Sequence, residues 1–258
     1  MEVALETHNL TVSYNRRPVL WNIDFKIPVG QITGIIGPNG SGKTTLLKAI
    51  MGLVKPSSGY CKLFDQDLKQ VRERISYVPQ RESVDWDFPA SVMDIVLMGR
   101  YKSSNLFKRI NQSDRDIAVE ALEKVNMLEF SNRQISQLSG GQQQRVFIAR
   151  SLAQGADLYI MDEPFVGVDA ATEEAILNLL TEMKNQGKTV IVVHHDLQTA
   201  KDYFDWIVLL NTRLVAVGPK DDIFREDLLQ EAYGGKLNVL SKVGDLIKEK
   251  GFSVRERK

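Results

Sequence analysis

Short apolar segments alternate with longer segments of helical spacing along most of the chain, a pattern typical of an α/β fold. Residues 5–14 and 19–27 flank the polar stretch 15–18 and predict an antiparallel hairpin. Other apolar segments have the length of buried strands: residues 31–36, 59–64, 75–78, 158–161 and 189–193. A late hairpin is predicted by residues 206–210 and 214–217. The pattern therefore predicts a sheet-based core with helices between its strands.

Helical patterns dominate residues 91–154, where β signals are scarce. One helix is predicted to begin at Ser113, a capping residue followed by first-turn acids, and a second to span residues 141–154. Helices are also predicted over residues 43–51 and 171–186, the latter ending before Gly187. We expect a core interrupted by a helical insert. The expected division is residues 1–84 and 153–235 for the core, 85–152 for the helical subdomain and 236–258 for a basic tail.

Composition and charge exclude several classes of function. The 258 residues carry 33 Lys and Arg against 33 Asp and Glu, so no global basic field for nucleic acid exists. The single cysteine, Cys61, excludes an intrachain disulfide and a cysteine-cluster metal site. No apolar stretch approaches the ~18 residues of a membrane span, and the acidic start predicts no signal peptide. A role at a membrane would therefore require a partner that crosses it.

A glycine-rich turn lies between the predicted strand 31–36 and the predicted helix 43–51. It fits the pattern G-x-x-x-x-G-K-[ST], in which backbone N–H groups converge on phosphate oxygens. Lys43 would place a charge on the β- and γ-phosphates, and Thr44 would offer a hydroxyl to Mg²⁺. The flanking strand and helix favour a nucleoside triphosphate site over a chance turn. The predicted nucleotide-binding residues here are Gly37, Pro38, Asn39, Gly40, Ser41, Gly42, Lys43, Thr44 and Thr45.

Two acids, Asp162 and Glu163, end the apolar segment that begins at Leu158. Carboxylates at the end of a buried strand are costly unless they bind something. A Mg²⁺-linked role would account for Asp162, and a base that orients the attacking water would account for Glu163. A strand end followed by a helix cap explains the pair equally well by itself, but not beside the glycine-rich turn.

A second motif of small residues precedes the predicted helix 141–154. It consists of Ser139, Gly140, Gly141 and Gln142. Bare backbone amides and the helix dipole would make a second anion site there. Since Ser-Gly before a helix is more often a plain cap, this motif takes its meaning from the others.

Together these motifs resemble the ATP-binding subunits of ABC transporters over roughly residues 3–235. The resemblance rests on Walker A at 37–44, the Q-loop glutamine Gln80, the signature at 138–142, Walker B at Asp162 and Glu163, and the switch histidine His195. It implies an α/β fold: a RecA-like P-loop core with an N-terminal antiparallel β part and an inserted helical subdomain. It also implies ATP and Mg²⁺ as ligands, and ATP hydrolysis coupled to transport.

The resemblance implies roles for single residues. Tyr14 would stack on adenine, although a tyrosine buried in a strand is the alternative. Gln80 would touch Mg²⁺ or the attacking water, and His195 would contact the γ-phosphate; His194 is its rival, but the family places this histidine directly before an aspartate. Asp169 would be the D-loop aspartate at a dimer seam. The expected catalytic residues are Lys43, Gln80, Glu163 and His195, and the expected Mg²⁺ ligands are Thr44, Gln80 and Asp162.

The resemblance also implies partners, because the signature of one ABC cassette closes over the P-loop of another. Two ATP molecules would lie between head-to-tail copies, in a homodimer or with a paralogous ATPase. An integral-membrane permease would hold the dimer on the cytoplasmic face of the inner (plasma) membrane. The permease docks beside the Q-loop, which here leads to Trp86 and Phe88; these rings would contact it or pack inside the helical subdomain.

The transported substrate is suggested by two stretches, residues 87–100 and 163–169, that resemble importers of metals and metal chelates. The Gly167-Val168-Asp169 form of the D-loop is most similar to the manganese, zinc and iron importers, which implies an extracytoplasmic metal-binding protein as an indirect partner. Import of an iron-siderophore, haem or cobalamin is the close alternative. A soluble ABC ATPase acting on nucleic acid or ribosomes is a distant one, because it would carry two cassettes or a long coiled coil. No nucleic-acid partner is expected.

Overall fold

A computed structural model describes residues 2–101 and 109–234. The strands are β1 (Val3–Tyr14), β2 (Arg17–Pro28), β3 (Ile32–Ile36), β4 (Ser58–Leu63), β5 (Ile75–Val78), β6 (Leu158–Asp162), β7 (Thr189–His194), β8 (Trp206–Asn211) and β9 (Arg213–Pro219). The helices are α1 (Lys43–Ile50), α2 (Leu68–Val71), α3 (Val92–Met98), α4 (Gln112–Lys124), α5 (Gly140–Gln154), α6 (Ala170–Asn185), α7 (Leu197–Tyr203), α8 (Lys220–Ile223) and α9 (Glu226–Tyr233). The predicted tail, 236–258, lies outside the described residues.

The strands form two sheets. An antiparallel sheet has the order β2-β1-β4, and a six-stranded sheet has the order β5-β6-β7-β3-β8-β9. The first five strands in this order, from β5 through β3 to β8, run parallel. At the edge, β9 pairs antiparallel with β8, which is the late hairpin predicted from the sequence. An α/β fold with an antiparallel β part, as expected from the sequence, is confirmed.

The six-stranded sheet is buried on both faces, because its central strands are apolar at nearly every position. Along β7, Val192 packs into a cluster that contains α3 to α6, whereas Val193 packs into a second cluster with β1 and β2. Leu46 and Leu47 of α1 belong to this second cluster, between the two sheets. Burying one such side chain contributes roughly 1.5–3 kcal/mol, so the start of α1 is firmly held.

Helices α3 and α4 pack on α5 and form a separate layer of helices. The contact is made by fully buried apolar residues such as Val96, Leu122 and Val146. Trp86 joins this layer: its ring lies 4.9 Å from that of Phe147, and its Nε1 donates to the Arg81 carbonyl oxygen at 2.8 Å. Of the two rings expected here, Trp86 therefore packs inside, while Phe88 is 52% exposed. Among the described helices, none is both long and apolar enough to cross a bilayer.

Two local predictions need correction. Helix α4 begins at Gln112 and is capped by Asn111, not by Ser113. The Asn111 side chain accepts from the Asp114 amide at 2.9 Å, and Asp114 Oδ2 accepts from the Asn111 amide at 3.2 Å. Asparagine caps a helix as well as serine, and Asp114 completes the capping box. The first hairpin turns at Asn15 and Arg16, and β2 starts at Arg17 instead of residue 19. Both turn residues have positive φ, as two-residue hairpin turns require.

Candidate functional site

The carboxyl ends of β5, β6, β7 and β3 lie side by side at one edge of the parallel sheet. In open α/β sheets, ligands bind at this edge. Gln80 follows β5, Asp162 ends β6 and His195 follows β7, while the glycine-rich turn joins β3 to α1. The topology thus brings four distant segments of the sequence to one place.

A cleft of about 510 Å³ opens there, within the usual size range of small-molecule sites. It is lined by Val19, Asn39, Gly40, Ser41, Gly42, Lys43, Thr44, Thr45, Gln80, Glu82, Glu163, Val166 and His195. The expected nucleotide-binding turn and three of the expected catalytic residues outside it therefore share one cleft. Other expected residues, all of them described, do not line it: Tyr14, Gly37, Pro38, Ser139, Gly140, Gly141, Gln142, Asp162 and Asp169.

The backbone of the glycine-rich turn is packed too tightly for side chains at two positions. A Cβ at Gly37 would overlap the carbonyl oxygen of Leu210 in β8. Gly42, the N-cap of α1, has a φ of 100°, and its Cβ would lie 2.6 Å from a methyl group of Leu20. These close approaches fix the N–H groups of the turn at the start of α1, where an anion binds favourably.

Lys43 is held inside this turn. Its Nζ donates to the carbonyl oxygens of Gly37 and Pro38 at 2.8 and 3.1 Å. Burial lowers the pKa of the Lys43 amine, and the charges of Glu163 and Asp162 oppose that effect. The ammonium group therefore lies inside the glycine-rich turn. A bound phosphate group would replace the two carbonyl oxygens as its partner.

Asp162 is fully buried at the end of β6. Its Oδ1 accepts from the Thr44 hydroxyl at 3.3 Å, and its Oδ2 has no partner in the described part of the chain. Burial raises the pKa of this carboxyl to about 6, although the bond from Thr44 lowers it. An unpaired buried carboxylate oxygen is costly unless a ligand completes it. With the Thr44 hydroxyl it forms the oxygen donor set that Mg²⁺ prefers.

Glu163 lies between Gln80 and His195. Gln80 Nε2 donates to Glu163 Oε2 at 3.1 Å, and His195 Nδ1 lies 3.9 Å from Glu163 Oε1. The backbone of Glu163 has a φ of 53°, a left-handed conformation that costs about 1–3 kcal/mol in a residue with a side chain. Such strain persists where the surroundings impose it, and it is concentrated at functional sites. The geometry therefore gives this carboxylate a set position at the mouth of the cleft.

The adjacent histidines have different environments. His194 is 4% exposed, bonds through Nε2 to the Thr199 hydroxyl at 2.8 Å and packs edge-on against Phe165. Burial lowers the pKa of His194 to about 4. His195 lines the cleft with half of its side chain exposed. The structure thus places His195, and not its rival, beside the glycine-rich turn.

The signature residues form the N-terminus of α5, away from the cleft. Ser139 caps the helix and accepts from the Gln142 amide at 3.4 Å, while Gln142 Oε1 accepts from the Ser139 amide at 2.9 Å. A Cβ at Gly141 would lie 3.6 Å from Val168, so the signature adjoins the segment that leads to Asp169. Asp169 caps α6 by accepting from the Thr172 amide at 2.8 Å. These residues form a second surface at the starts of α5 and α6.

Sequence patterns missed three residues of the cleft: Val19, Glu82 and Val166. Glu82 carried a signal, since it follows Gln80 by two residues, and its Oε2 accepts from Gln80 Nε2 at 3.3 Å. Val19 carried none, because its approach to the turn depends on how β2 packs. Tyr14 is 45% exposed at the end of β1, so it is not the tyrosine buried in a strand that was its alternative.

The fold and the cleft define a P-loop nucleotide-binding protein. The family described as ABC transporter matches residues 20–166, more than half of the chain. The chain therefore belongs to the ABC transporter family and is an ABC-type ATPase, which confirms the assignment made from the motifs.

Relatives of known role support this assignment over most of the chain. The manganese transport system ATP-binding protein of Bacillus subtilis is 58% identical over 236 residues, 92% of this chain and 94% of that protein. The zinc transport system ATP-binding protein of Treponema pallidum is 54% identical, over 91% of this chain and 88% of that protein. A structure described as a metal-chelate type ABC transporter facing inward has a TM-score of 0.78 at 30% identity, over 90% of this chain and 89% of that one.

Proposed function

We propose that this chain is the ATPase subunit that powers import of manganese or zinc through a membrane permease. The observation that carries the proposal is the cleft in which Lys43, Gln80, Glu163 and His195 meet one P-loop. The choice of metal follows the relatives: 58% identity to a manganese system and 54% to a zinc system. Import of a metal chelate is the second candidate, favoured by the 30% identical metal-chelate structure.

The geometry supports specific roles in ATP hydrolysis. The N–H groups of the P-loop and Lys43 bind the phosphates, and the lysine exchanges its two carbonyl partners for them. Thr44, Asp162 and Gln80 would hold Mg²⁺, which neutralises phosphate charge when bound. Glu163 orients the attacking water and takes its proton, and His195 contacts the γ-phosphate from the other side of that carboxylate.

Two copies would complete two sites, because the signature surface does not reach the chain's own cleft. The start of α5 offers the amides of Gly140 and Gly141 and the positive end of a 15-residue helix. A head-to-tail arrangement would bring these amides over the phosphates held by a second copy. A paralogous ATPase would serve equally well as the second subunit.

The permease would dock on a groove between the parallel sheet and the helical layer. This groove of about 310 Å³ is lined on one side by Met51 and Tyr77 and on the other by Met98, Tyr101 and Arg150. Met98 and Tyr101 are 41% and 54% exposed, and such apolar, aromatic and arginine side chains are typical of interface centres. The ATPase would then be peripheral on the cytoplasmic face of the membrane, with an extracytoplasmic metal-binding protein as an indirect partner.

The same groove supports the proposed division into subdomains. Residues 85–152 would form the helical subdomain that carries the signature, and residues 1–84 with 153–235 the ATP-binding core. Arg150 connects the two, because its Nη2 donates to the Tyr77 carbonyl oxygen at 3.2 Å.

Cellular metal content tests the proposed transport role. In a host whose own copy carries Glu163→Gln, we expect manganese or zinc to fall selectively, because the substitution stops the energy supply without removing the subunit. Manganese, zinc and iron are measured together by elemental analysis. Iron alone falling would favour the chelate alternative, and no change in any metal would contradict metal import. Membrane docking is checked by cell fractionation in strains with and without the permease gene. An ATPase that stays in the soluble fraction even when the permease is present would contradict it.

The two histidines should separate activity from stability. We expect His195→Ala to lower kcat by about ten- to hundredfold, the worth of a hydrogen bond to a charged group, with little change in thermal stability. His194→Ala should instead destabilise the fold by about 2–4 kcal/mol through lost packing. Because the pKa of His194 is lowered in the fold, the fold prefers the neutral ring. The contribution of this preference to the free energy of unfolding is present above pH 6.5 and is lost as the pH falls toward 4. Phosphate release and thermal unfolding in both variants check this; full activity in His195→Ala would contradict the assignment.

A further inference from the structure

We propose that Arg81 is a phosphate-binding residue of the second nucleotide site, formed at the start of α5. It would bind the triphosphate of the ATP that the P-loop of a second copy holds. The inference rests on the head-to-tail pair of the proposed function and adds a residue to it that no motif contains.

The guanidinium of Arg81 packs directly on the first residue of α5. A Cβ built on Gly140 would lie 2.9 Å from Arg81 Cζ and 3.0 Å from its Nε. The absence of a side chain at Gly140 therefore makes room for the guanidinium. Arg81 thus lies at the signature surface, although the preceding residue, Gln80, lines the other cleft.

A buried glutamine fixes the direction of the guanidinium. Arg81 Nε donates to Gln143 Oε1 at 3.1 Å, and Gln143 Nε2 donates to the Ile135 carbonyl oxygen at 3.2 Å. Gln143 is only 4% exposed, so its side chain is held from both ends. With Nε engaged, the Nη atoms remain as donors; within residues 2–101 and 109–234, they have no hydrogen-bond or ion-pair partner. Arginine presents such donors as a planar fork that matches phosphate oxygens.

The exposed side chain of Arg81 lies at the positive end of α5. The N-terminus of a helix carries a partial positive charge, and a cation there is destabilising. The first turn of α5 contains no acidic residue that would offset it. Within residues 2–101 and 109–234 the Arg81 guanidinium bonds to no carboxylate, and a cation at a helix start without such a partner favours an anion there. The anion that the proposed function brings to this surface is the triphosphate on a second copy.

The consecutive positions of Gln80 and Arg81 would connect the two nucleotide sites. Gln80 bonds to Glu163 in its own cleft, and Arg81 would bind the nucleotide across the dimer. A movement of one residue would therefore displace the other. Arg81 also contacts Trp86: its Cζ lies 6.0 Å from the centroid of the Trp86 ring, and its carbonyl oxygen accepts from the Trp86 indole. The experiment must separate these two roles.

ATP-driven dimerisation in a Glu163→Gln background tests the proposal. We expect Arg81→Met to raise the ATP concentration at the midpoint of dimerisation by about tenfold or more, the worth of a charged hydrogen bond to phosphate. Arg81→Lys, which keeps the charge, should shift the midpoint less. Binding of fluorescent ATP to the monomer should stay within about twofold, because the P-loop of the same chain is intact. Thermal unfolding shows whether the variants are folded.

Arg133→Met is the matched control, since Arg133 is an exposed arginine that stacks on Phe130 in the same helical layer at 4.8 Å. An equal midpoint shift in this control, or no shift in Arg81→Met, would overturn the proposal. Failure of Glu163→Gln alone to dimerise would instead contradict the proposed function.

A mixing experiment separates action across the dimer from action within one chain. One protein carries Arg81→Met and the other carries Lys43→Ala, and both also carry Glu163→Gln. In a dimer of one copy of each, one nucleotide site is complete: its P-loop comes from the Arg81→Met copy and its Arg81 from the Lys43→Ala copy. We expect the mixture to retain one tightly held nucleotide per dimer at ATP concentrations where neither variant does so alone. No gain on mixing would show that Arg81 acts on its own cleft and would overturn the proposal.

Discussion

Replacing Glu163 with glutamine is expected to reduce ATP hydrolysis by about a thousandfold and to trap an ATP-bound dimer. Glutamine keeps the shape of the side chain and the contact with Gln80, but it cannot take a proton from water. Binding residues in the P-loop are untouched, so ATP should still draw two copies together and then persist between them. Steady-state phosphate release and size-exclusion chromatography with and without ATP measure the two effects.

Glu82→Gln provides the control for this prediction. Glu82 is a second carboxylate of the same cleft, and it bonds to the same Gln80 amide at 3.3 Å. Its removal should leave most of the hydrolysis and no trapped dimer. A Glu163→Gln protein that stays monomeric with ATP would contradict the dimer, and one that hydrolyses ATP normally would contradict Glu163 as the base.

The second large effect is expected at Asp162, where stability and activity should move in opposite directions. Asp162→Asn should stabilise the nucleotide-free protein at pH 7.5 by about 1–3 kcal/mol, because it removes a buried, half-paired carboxylate whose pKa is raised to about 6. The same change should lower ATP hydrolysis by at least about a hundredfold, since it removes a charged Mg²⁺ ligand that contributes several kcal/mol. Thermal unfolding without nucleotide and phosphate release with Mg²⁺ measure the two changes.

The pH dependence of this stabilisation has a defined sign. The pKa of Asp162 rises from 3.8 in the unfolded chain to about 6 in the fold, so the fold prefers the protonated carboxyl. The favourable contribution of the protonated Asp162 carboxyl to the free energy of unfolding is present below pH 3.8 and is lost as the pH rises through 6. The advantage of Asp162→Asn should therefore be largest above pH 6 and shrink toward pH 4. Asp65→Asn, at a side chain that is 93% exposed, should change stability by less than about 0.5 kcal/mol. An Asp162→Asn protein that is less stable than the parent at pH 7.5 would contradict the prediction.

Local sequence patterns predicted the elements well where short-range rules apply. The P-loop, the strand that ends at Asp162 and the helix that stops before Gly187 all formed as expected. Boundaries shifted where two residues satisfy the same rule, as Asn111 and Ser113 both do for a helix cap. The short helix α7 had no separate prediction, because seven residues complete barely two turns.

The sequence by itself determined the chemistry of this protein, because phosphate binding needs glycines, a lysine and a hydroxyl at fixed short spacing. Only the tertiary structure decided which side chains outside the P-loop line the phosphate-binding cleft. Packing on either side of the sheet placed His194 inside and His195 on the cleft, and it turned Trp86 inward. It also carried Arg81 away from the cleft that Gln80 lines and onto the start of α5. These outcomes depend on contacts between residues far apart in the chain, which spacing along a single sequence does not encode.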